Sequence, residues 1–399
     1  MRSPVNKLLP ALLLLAGIST AVFTADYGLE LTNTGGIRHT DEFDWNSDHK
    51  ATFWLSIPFD TAGRNTLSVE GSAYASKPAF SSDFRFFPDL DLLRLSMTPL
   101  SGDGYKISID AGRIATGDIT GLILNQMVDG TEFHFLLPFG NLDLMAGYTG
   151  LLNARKGGSL MTTDDQENAA TDKLFAFGSY RAIGKITIQF PQLLGPVDLV
   201  LEGLGQYDIR RFMESDYTEL VDTIYGTVVI SMPVSSMAFF NLTGMYQFGV
   251  LDSAADDKRY LETSMLASAR FDAFPIKGFQ FYLQGDYNPA NSDFFTGFLP
   301  ISFAPAGTLF TQGIANLVRI QTGVSFNPLH LLNIDAGAKA FLHSPGGEIK
   351  KDLYSGSEAT LGMTLKISSD LKFRLDGCIY LPFEQDLQYQ ASLKAVFAL

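Results

Sequence analysis

Apolar and polar residues alternate along most of this chain. In LLNIDAGAKAFL (331–342), Leu332 and Ile334 are apolar, whereas Asn333 and Asp335 are polar. Successive side chains of a β-strand point to opposite faces, so this segment has one apolar face and one polar face. The same alternation recurs in SMAFFNLTGMYQFGV (236–250), FQFYLQGDY (279–287) and LKFRLDGCIYL (371–381). No helical period stands out in these segments, and the pattern predicts an all-β chain.

About eighteen such segments can be placed, each with boundaries good to a few residues. The predicted strands are 26–34, 50–58, 65–76, 89–98, 105–113, 131–137, 141–150, 172–189, 197–208, 219–231, 236–250, 259–272, 279–288, 315–326, 331–343, 355–367, 371–382 and 387–398. Merging the weaker segments would give sixteen strands. The weakest is 219–231, because its alternation turns Asp222 toward the apolar side.

The connections between these segments alternate in length. Short turns, many of them next to a proline, include IPFDTAGRN, LPFGN and MPVSS. Proline suits strand ends because it has no N–H to donate to a β-ladder. Between the short turns lie longer and more polar links, such as 151–171 and 289–314. Short turns on one side and long loops on the other are typical of an outer-membrane barrel with periplasmic turns and extracellular loops.

The N-terminal residues predict an export signal. Arg2 and Lys7 precede the apolar run LLPALLLLAGIST, and small residues follow up to Ala25. The run is too short to span a bilayer as a helix, which takes about 20 residues. We therefore expect residues 1–25 to be a cleaved signal peptide and residues 26–399 to form one barrel domain.

Composition narrows the possibilities further. Cys378 is the only cysteine among 399 residues, so no intrachain disulfide can form. The formal net charge of −14 argues against nucleic acid as a partner, because phosphate binding needs clustered lysine and arginine.

A soluble β-sandwich is the main structural alternative, since it would also show alternating strands. Three features favour the membrane barrel. The loops are asymmetric in length, charges of both signs follow one another on a single strand face (Lys372, Arg374 and Asp376), and aromatic residues such as Tyr148 and Tyr287 lie near segment ends. The sequence predicts a single transmembrane, antiparallel, up-and-down β-barrel of about eighteen strands in the bacterial outer membrane.

In pattern and layout the chain resembles the bacterial outer-membrane porin-like barrels over nearly its whole predicted mature length. Members of that family typically end in a strand whose last residue is aromatic. Here the end is LQYQASLKAVFAL, with Phe397 two residues before the terminal Leu399, a variant that suggests a spirochaetal member. The resemblance implies contact with outer-membrane lipid, insertion by the outer-membrane assembly machinery and homo-oligomerisation.

With the apolar faces toward lipid, the charged faces line the barrel interior. A barrel of sixteen to eighteen strands is wide enough for an aqueous channel, so we expect passive diffusion of small hydrophilic solutes. Acids slightly outnumber bases, which predicts a weak cation preference. The residues predicted to line the pore are Glu70, Arg94, Lys106, Asp110, Arg181, Glu202, Arg270, Asp286, Arg319, Asp335, Lys339, Glu358, Lys372, Arg374 and Asp376.

One long link is unusually apolar for an exposed loop. Residues 294–310 read FFTGFLPISFAPAGTLF, and the stretch from 294 to 318 has no charged residue. Repeated glycine and proline argue against a membrane helix there, so we expect a loop. The residues predicted to form a constriction or gate are Phe294, Phe295, Phe298, Phe303 and Phe310. This loop leaves a fatty-acid-type transporter open as an alternative, and the long loops in general leave open an adhesin or structural barrel.

Enzymatic activity is the remaining function class. His343 and Ser344 are adjacent at a predicted extracellular rim, but neighbouring residues do not readily form a nucleophile–base pair. No histidine or cysteine pattern has metal-ligand spacing. We expect no catalytic residues, no metal and no cofactor.

Overall fold

A computed structural model of the protein describes residues 25–399 apart from 41, 81–83, 157–158, 172, 174, 214–216, 254–257, 290–296 and 345–352. Eighteen strands form one antiparallel sheet in which each strand pairs with its neighbours in sequence, and β1 also pairs with β18. The strands are β1 Asp26–His39, β2 Phe43–Pro58, β3 Thr66–Lys77, β4 Arg85–Gly102, β5 Tyr105–Gly117, β6 Asn125–Leu137, β7 Gly140–Tyr148, β8 Arg181–Leu194, β9 Val197–Asp208, β10 Glu219–Ser235, β11 Ala238–Ser253, β12 Lys258–Ile276, β13 Phe279–Tyr287, β14 Leu317–Leu329, β15 Leu332–His343, β16 Tyr354–Lys366, β17 Leu371–Pro382 and β18 Gln388–Ala398. The predicted closed barrel is confirmed, with eighteen strands rather than sixteen.

The wall alternates between an apolar exterior and a more polar interior. On β17, Leu375, Ile379 and Leu381 are 50–52 % exposed on the outer face, whereas Cys378 and Tyr380 on the inner face are buried. Apolar side chains in this arrangement fit contact with lipid chains, because a closed barrel satisfies its backbone hydrogen bonds between strands. Among the described residues, no helix is long and apolar enough to span a membrane.

Strand β8 begins later than its sequence pattern predicts. The prediction was 172–189, but the strand starts at Arg181. Phe177 instead forms an isolated bridge with Asn153, and the N–H of Gly178 donates to the carbonyl of Leu152 at 2.7 Å. The segment before β8 therefore pairs with its own loop instead of the barrel wall, and alternation alone does not distinguish these partners.

Strand β10 does carry Asp222 among its outward-facing positions. Asp222 lies next to Arg211, with an Nη2–Oδ2 distance of 2.5 Å, and Arg211 Nη1 is 3.5 Å from an oxygen of Asp252. Arg211 comes from the short 3-10 helix Ile209–Phe212 that follows β9. Its positive charge compensates the two carboxylates on the outer face at the long-loop end of the barrel.

Candidate functional site

The long loop between β13 and β14 crosses the barrel interior. At one end, Leu299 accepts a hydrogen bond from Tyr225 Oη at 2.6 Å and donates its N–H to Gln247 Oε1 at 2.8 Å. Ser302 donates its N–H to the carbonyl of Ile123, next to β6, at 2.9 Å. These contacts attach the loop to the β6, β10 and β11 side of the lumen.

The other end of the loop is held by Glu358 on β16. Its carboxylate, which is completely buried, accepts hydrogen bonds from the backbone N–H groups of Thr308 (2.8 Å) and Leu309 (2.8 Å). Lys339 Nζ lies 3.4 Å away. A Cβ at Gly307 would come within 2.6 Å of Glu358 Oε2, so a larger residue there would displace the carboxylate from this position. In the strand order, β16 lies nearly opposite β6, so the loop spans the lumen.

A second buried ion pair supports the same loop. Arg319 on β14 and Asp286 on β13 are 2.8 Å apart, and the guanidinium also donates to the carbonyl of Ala306 at 3.1 Å. Both side chains are at most one-tenth exposed. Because the donors and acceptors are paired, the loop backbone is fixed without leaving a free charge.

Apolar side chains from the loops and the wall fill one side of the lumen. This cluster, called the plug here, consists of Ile114, Ile123, Leu124, Val128, Met145, Met161, Ile183, Leu204, Val221, Tyr225, Met245, Leu251, Leu266, Phe298, Ile301 and Ile314. A smaller cluster under the far end of the loop includes Phe310, which stacks on Phe341 with ring centroids 4.1 Å apart. The burial of these side chains favours a loop that stays inside the barrel.

The loop between β7 and β8 also folds inward, and Arg181 anchors it. The guanidinium, with no exposed surface, lies 2.6 Å from Asp165 and 3.4 Å from Asp208. It further donates to Gln206 Oε1 at 3.0 Å and to the carbonyl of Val221 at 3.1 Å. Loss of Arg181 would leave two carboxylates buried without this counter-charge.

Asp165 belongs to a short helix, α1 (Thr163–Ala169), inside this loop. Thr162 caps the helix by accepting from the N–H of Asp165, whose carboxylate in turn accepts from the N–H of Thr162. Burial raises the pKa of Asp165, but Arg181, a hydrogen bond from Ser179 and Arg210 together lower it below the ordinary value. The stabilisation by the ionised carboxylate is therefore present above the ordinary carboxylate pKa and is lost as the pH falls through the lowered folded-state pKa.

The structure places the predicted pore-lining residues on inward-facing positions but in two environments. The first group is buried and contacts inward-folded loops or neighbouring wall residues: Arg181, Glu202, Asp286, Arg319 and Glu358. The second group is partly or fully exposed: Glu70, Arg94, Lys106, Asp110, Arg270, Asp335, Lys339, Lys372, Arg374 and Asp376. A role in lining the pore stays a prediction for both groups, and only the second has surface to offer to a solute.

Some residues of the exposed group form ion pairs and others do not. Arg374 is 2.8 Å from Asp376 and 3.2 Å from Asp335, and Arg270 is 2.7 Å from Asp272. In contrast, no acidic group among the described residues forms an ion pair with any of the following inward-facing bases: Arg94, Lys106, Lys372 and Lys394. Inward-facing acids such as Glu30 and Asp198 also form no ion pair among the described residues, so unpaired charges of both signs face the lumen.

The phenylalanines predicted to constrict the lumen differ in position. Phe298 is 1 % exposed within the plug, and Phe310 is buried in the smaller cluster. Phe303 is 46 % exposed. Phe294 and Phe295 lie outside the described residues. The role of these five phenylalanines as a constriction or gate stays a prediction. Among the described ones, Phe303 has the ring that a passing solute could contact.

Two lumenal acids escaped the sequence analysis, Asp89 and Asp91. The β3–β4 ladder contains a β-bulge. Glu70 of β3 pairs with Leu92 of β4, but the next residue, Gly71, pairs with Leu90, so Asp91 of β4 has no paired residue on β3. The bulge reverses the alternation beyond it and turns Asp89 inward. Strict alternation from Leu93 would have placed both acids on the lipid side. No signal in the sequence marks the extra residue.

The barrel can be compared with known proteins. Neither a protein-family model nor a curated protein sequence matches the chain. Among solved structures, the outer-membrane protein OpdK of Pseudomonas aeruginosa is similar with a TM-score of 0.62 and 13 % identity, covering 94 % of this chain and 98 % of that one. OprD of Pseudomonas aeruginosa gives a TM-score of 0.55 at 13 % identity (94 % and 95 % covered), and OccAB4 of Acinetobacter baumannii gives 0.58 at 10 % identity (94 % and 98 % covered). The chain therefore has the eighteen-stranded β-barrel fold of these bacterial outer-membrane proteins.

Proposed function

We propose that the protein is an outer-membrane channel for the passive diffusion of small hydrophilic solutes. The observation that carries this proposal is a set of partly or fully exposed bases inside the barrel that form no ion pair among the described residues: Arg94, Lys106, Lys372 and Lys394. An isolated charge is very costly away from water, so the side of the lumen that holds them must be hydrated. An eighteen-stranded barrel is wide enough to contain such a water-filled path beside the loops.

We further propose that the β13–β14 loop narrows this path. The loop is attached to opposite sides of the lumen, and Phe303 presents an accessible ring between the two attachments. The plug occupies the β5 to β12 side and the smaller cluster covers the long-loop ends of β15 and β17, which leaves the rest of the β15 to β18 and β1 to β4 side for solute. This arrangement supports a restricted channel for small solutes.

The channel's preference for cations or anions depends on the charges inside the barrel. Composition predicts a weak cation preference, which stays a prediction. Arg94, Lys106 and Lys372 form no ion pair among the described residues, so their positive charges act against this preference. Selectivity depends on the charges that the ions meet along the path, so we propose that these bases keep the cation preference weak.

Replacing Lys106 and Lys372 together by glutamine is expected to shift the reversal potential under a salt gradient toward cations, with a single-channel conductance of the same order. The measurement is a planar-bilayer recording of the purified protein in KCl. Lys277→Gln, in the exposed β12–β13 turn outside the lumen, is the matched control and should leave the reversal potential unchanged. A wild-type barrel that conducts no ions would refute the channel, and an unchanged reversal potential in the double variant would refute the role of these two lysines.

Other expectations concern the surroundings of the barrel. We propose location in the bacterial outer membrane, which the apolar exterior and the fold support. Insertion by the outer-membrane assembly machinery, homo-oligomerisation and a spirochaetal origin stay predictions.

A further inference from the structure

The barrel wall has a break between β4 and β5. Their ladder runs from Gly102, paired with Tyr105, only as far as Leu93, paired with Arg113. Beyond this rung, residues 85–92 of β4 remain paired with β3, and residues 114–117 of β5 remain paired with β6, but β4 and β5 no longer pair with each other. The two hairpins separate toward the long-loop end of the barrel.

Two backbone irregularities border the break. Gly112, next to the last rung, has a φ of +113°, and a Cβ there would lie 2.1 Å from the carbonyl oxygen of Leu93. Only glycine fits this conformation and this close approach. On the other strand, the bulge at Asp91 adds a residue just beyond the rung. The separation is thus encoded on both strands.

Side chains close the break where the ladder is missing. Arg113 donates to the carbonyl of Leu90 at 2.8 Å and to the carbonyl of Leu151, in the β7–β8 loop, at 2.9 Å. The same guanidinium lies 2.8 Å from Asp129 on β6. From the same loop, Lys156 reaches Asp89 at 3.4 Å and also hydrogen-bonds to Asp91. One guanidinium and one loop segment thus replace a row of backbone hydrogen bonds.

A cavity of about 470 Å³ lies at this break. Its apolar lining includes Ala115 and Met127, which pair with each other at outward-facing positions, and Leu90 and Leu152. Its charged lining includes the inward-facing Lys50 and Arg94. Because inward and outward positions of the wall line one cavity, the cavity extends through the wall from the lumen toward the lipid-facing surface.

Buried polar atoms in the cavity lining lack hydrogen-bond partners. They include Nδ2 of Asn153, a residue that is 1 % exposed, as well as Oδ1 of Asp89 and Nε of Arg94. Native proteins rarely leave such groups unsatisfied, and each marks a place where a polar ligand group or water is expected. Among the charged residues of the lining, Lys50, Arg94, Arg113 and Lys156 outnumber Glu70, Asp89 and Asp91.

We propose that this break is a side portal for amphipathic molecules that carry one anionic head group and an apolar chain. The head group binds near Arg94 and Lys156, and the chain packs on Leu90, Ala115 and Met127. Arg113 and the β7–β8 loop close the portal. This proposal goes beyond diffusion along the lumen, because it connects the lumen to the outer leaflet through the wall.

The test uses the fluorescent probe 11-(dansylamino)undecanoate and the full mature barrel in lipid nanodiscs, with empty nanodiscs as the blank. We expect saturable binding that Ala115→Trp weakens at least tenfold, because the indole fills the apolar part of the cavity. Ala111→Trp, on the outward face of β5 within the paired part of the wall, is the matched control and should change the affinity by less than twofold. Dansylglycine, which has the head group without the chain, should bind at least tenfold more weakly than the probe.

Non-saturable binding, or equal effects of the two tryptophan variants, would overturn the portal. A second measurement covers the case in which Ala115→Trp fails to fold. In a Cys378→Ser background, Met127→Cys should react with a charged, water-soluble thiol reagent and be protected by the probe, whereas the lipid-facing Met97→Cys should stay unmodified. An unreactive Met127→Cys would show that the wall is sealed. Wild-type conductance measured in parallel separates failure of the portal from failure of the channel.

Discussion

Replacing Glu358 by alanine is expected to raise the single-channel conductance several-fold. Its buried carboxylate accepts from successive N–H groups of the crossing loop at Thr308 and Leu309 and pairs with Lys339. Removing one partner of a buried charged arrangement typically costs roughly 3–5 kcal/mol. A loss of that size is enough to shift a two-state loop from mostly attached to mostly detached. The detached loop would widen the narrowest part of the lumen.

Planar-bilayer recording of the purified variant measures this effect. Glu70→Ala is the matched control, because Glu70 is a partly exposed lumenal acid that lies 3.9 Å from Lys50 and forms no hydrogen bond or ion pair with the described part of the β13–β14 loop. Glu358→Gln keeps one acceptor oxygen and should have an intermediate conductance. A folded Glu358→Ala barrel with wild-type conductance would show that the loop does not limit the flow of ions.

Replacing Arg181 by alanine is expected to lower the free energy of unfolding by roughly 3–5 kcal/mol, the usual cost of breaking a buried ion pair. The guanidinium has no exposed surface and lies against Asp165 and Asp208. Without it, the two carboxylates stay buried at neutral pH with Arg210 as their remaining ion-pair partner, and the β7–β8 loop loses one of its anchors. Urea-induced unfolding of the detergent-solubilised barrel, followed by tryptophan fluorescence, measures the difference.

Arg374→Ala is the control for this prediction. Arg374 also contacts two acids, Asp335 and Asp376, but its side chain is 40 % exposed and water can screen the remaining charges. We expect its replacement to cost less than about 1 kcal/mol. Equal losses in the two variants would contradict the argument that burial sets the cost.

The wall of this barrel could be predicted from the sequence because each strand carries its own signal. Alternation in 197–208 and 371–382 gave both bounds of β9 and β17. Alternation reflects a local requirement, namely one face toward lipid and one toward the interior. Alternation predicts a wall strand wrongly where an alternating segment pairs with a loop. This happens before β8, where Phe177 pairs with the loop residue Asn153.

The interior was less predictable because its contacts join residues far apart in the chain. Alternation places Glu358 and Lys372 on the same side of the wall, yet Glu358 is buried under a loop and Lys372 forms no ion pair among the described residues. Whether an inward-facing charge is buried or stays accessible depends on where the β13–β14 loop lies. The residue pattern within β16 or β17 does not indicate the position of that loop. The apolar composition of residues 294–310 was the available clue, since such a segment needs a buried place.

The crossing loop also has a mechanical consequence. It ties β6 to β16, so it acts as an internal strut across the cross-section of the cylinder. An empty sheet of this circumference could flatten into an ellipse at little cost, but here flattening would stretch or compress the strut and break its end contacts. The aperture beside it should therefore keep a nearly constant shape as the surrounding bilayer is squeezed or bent.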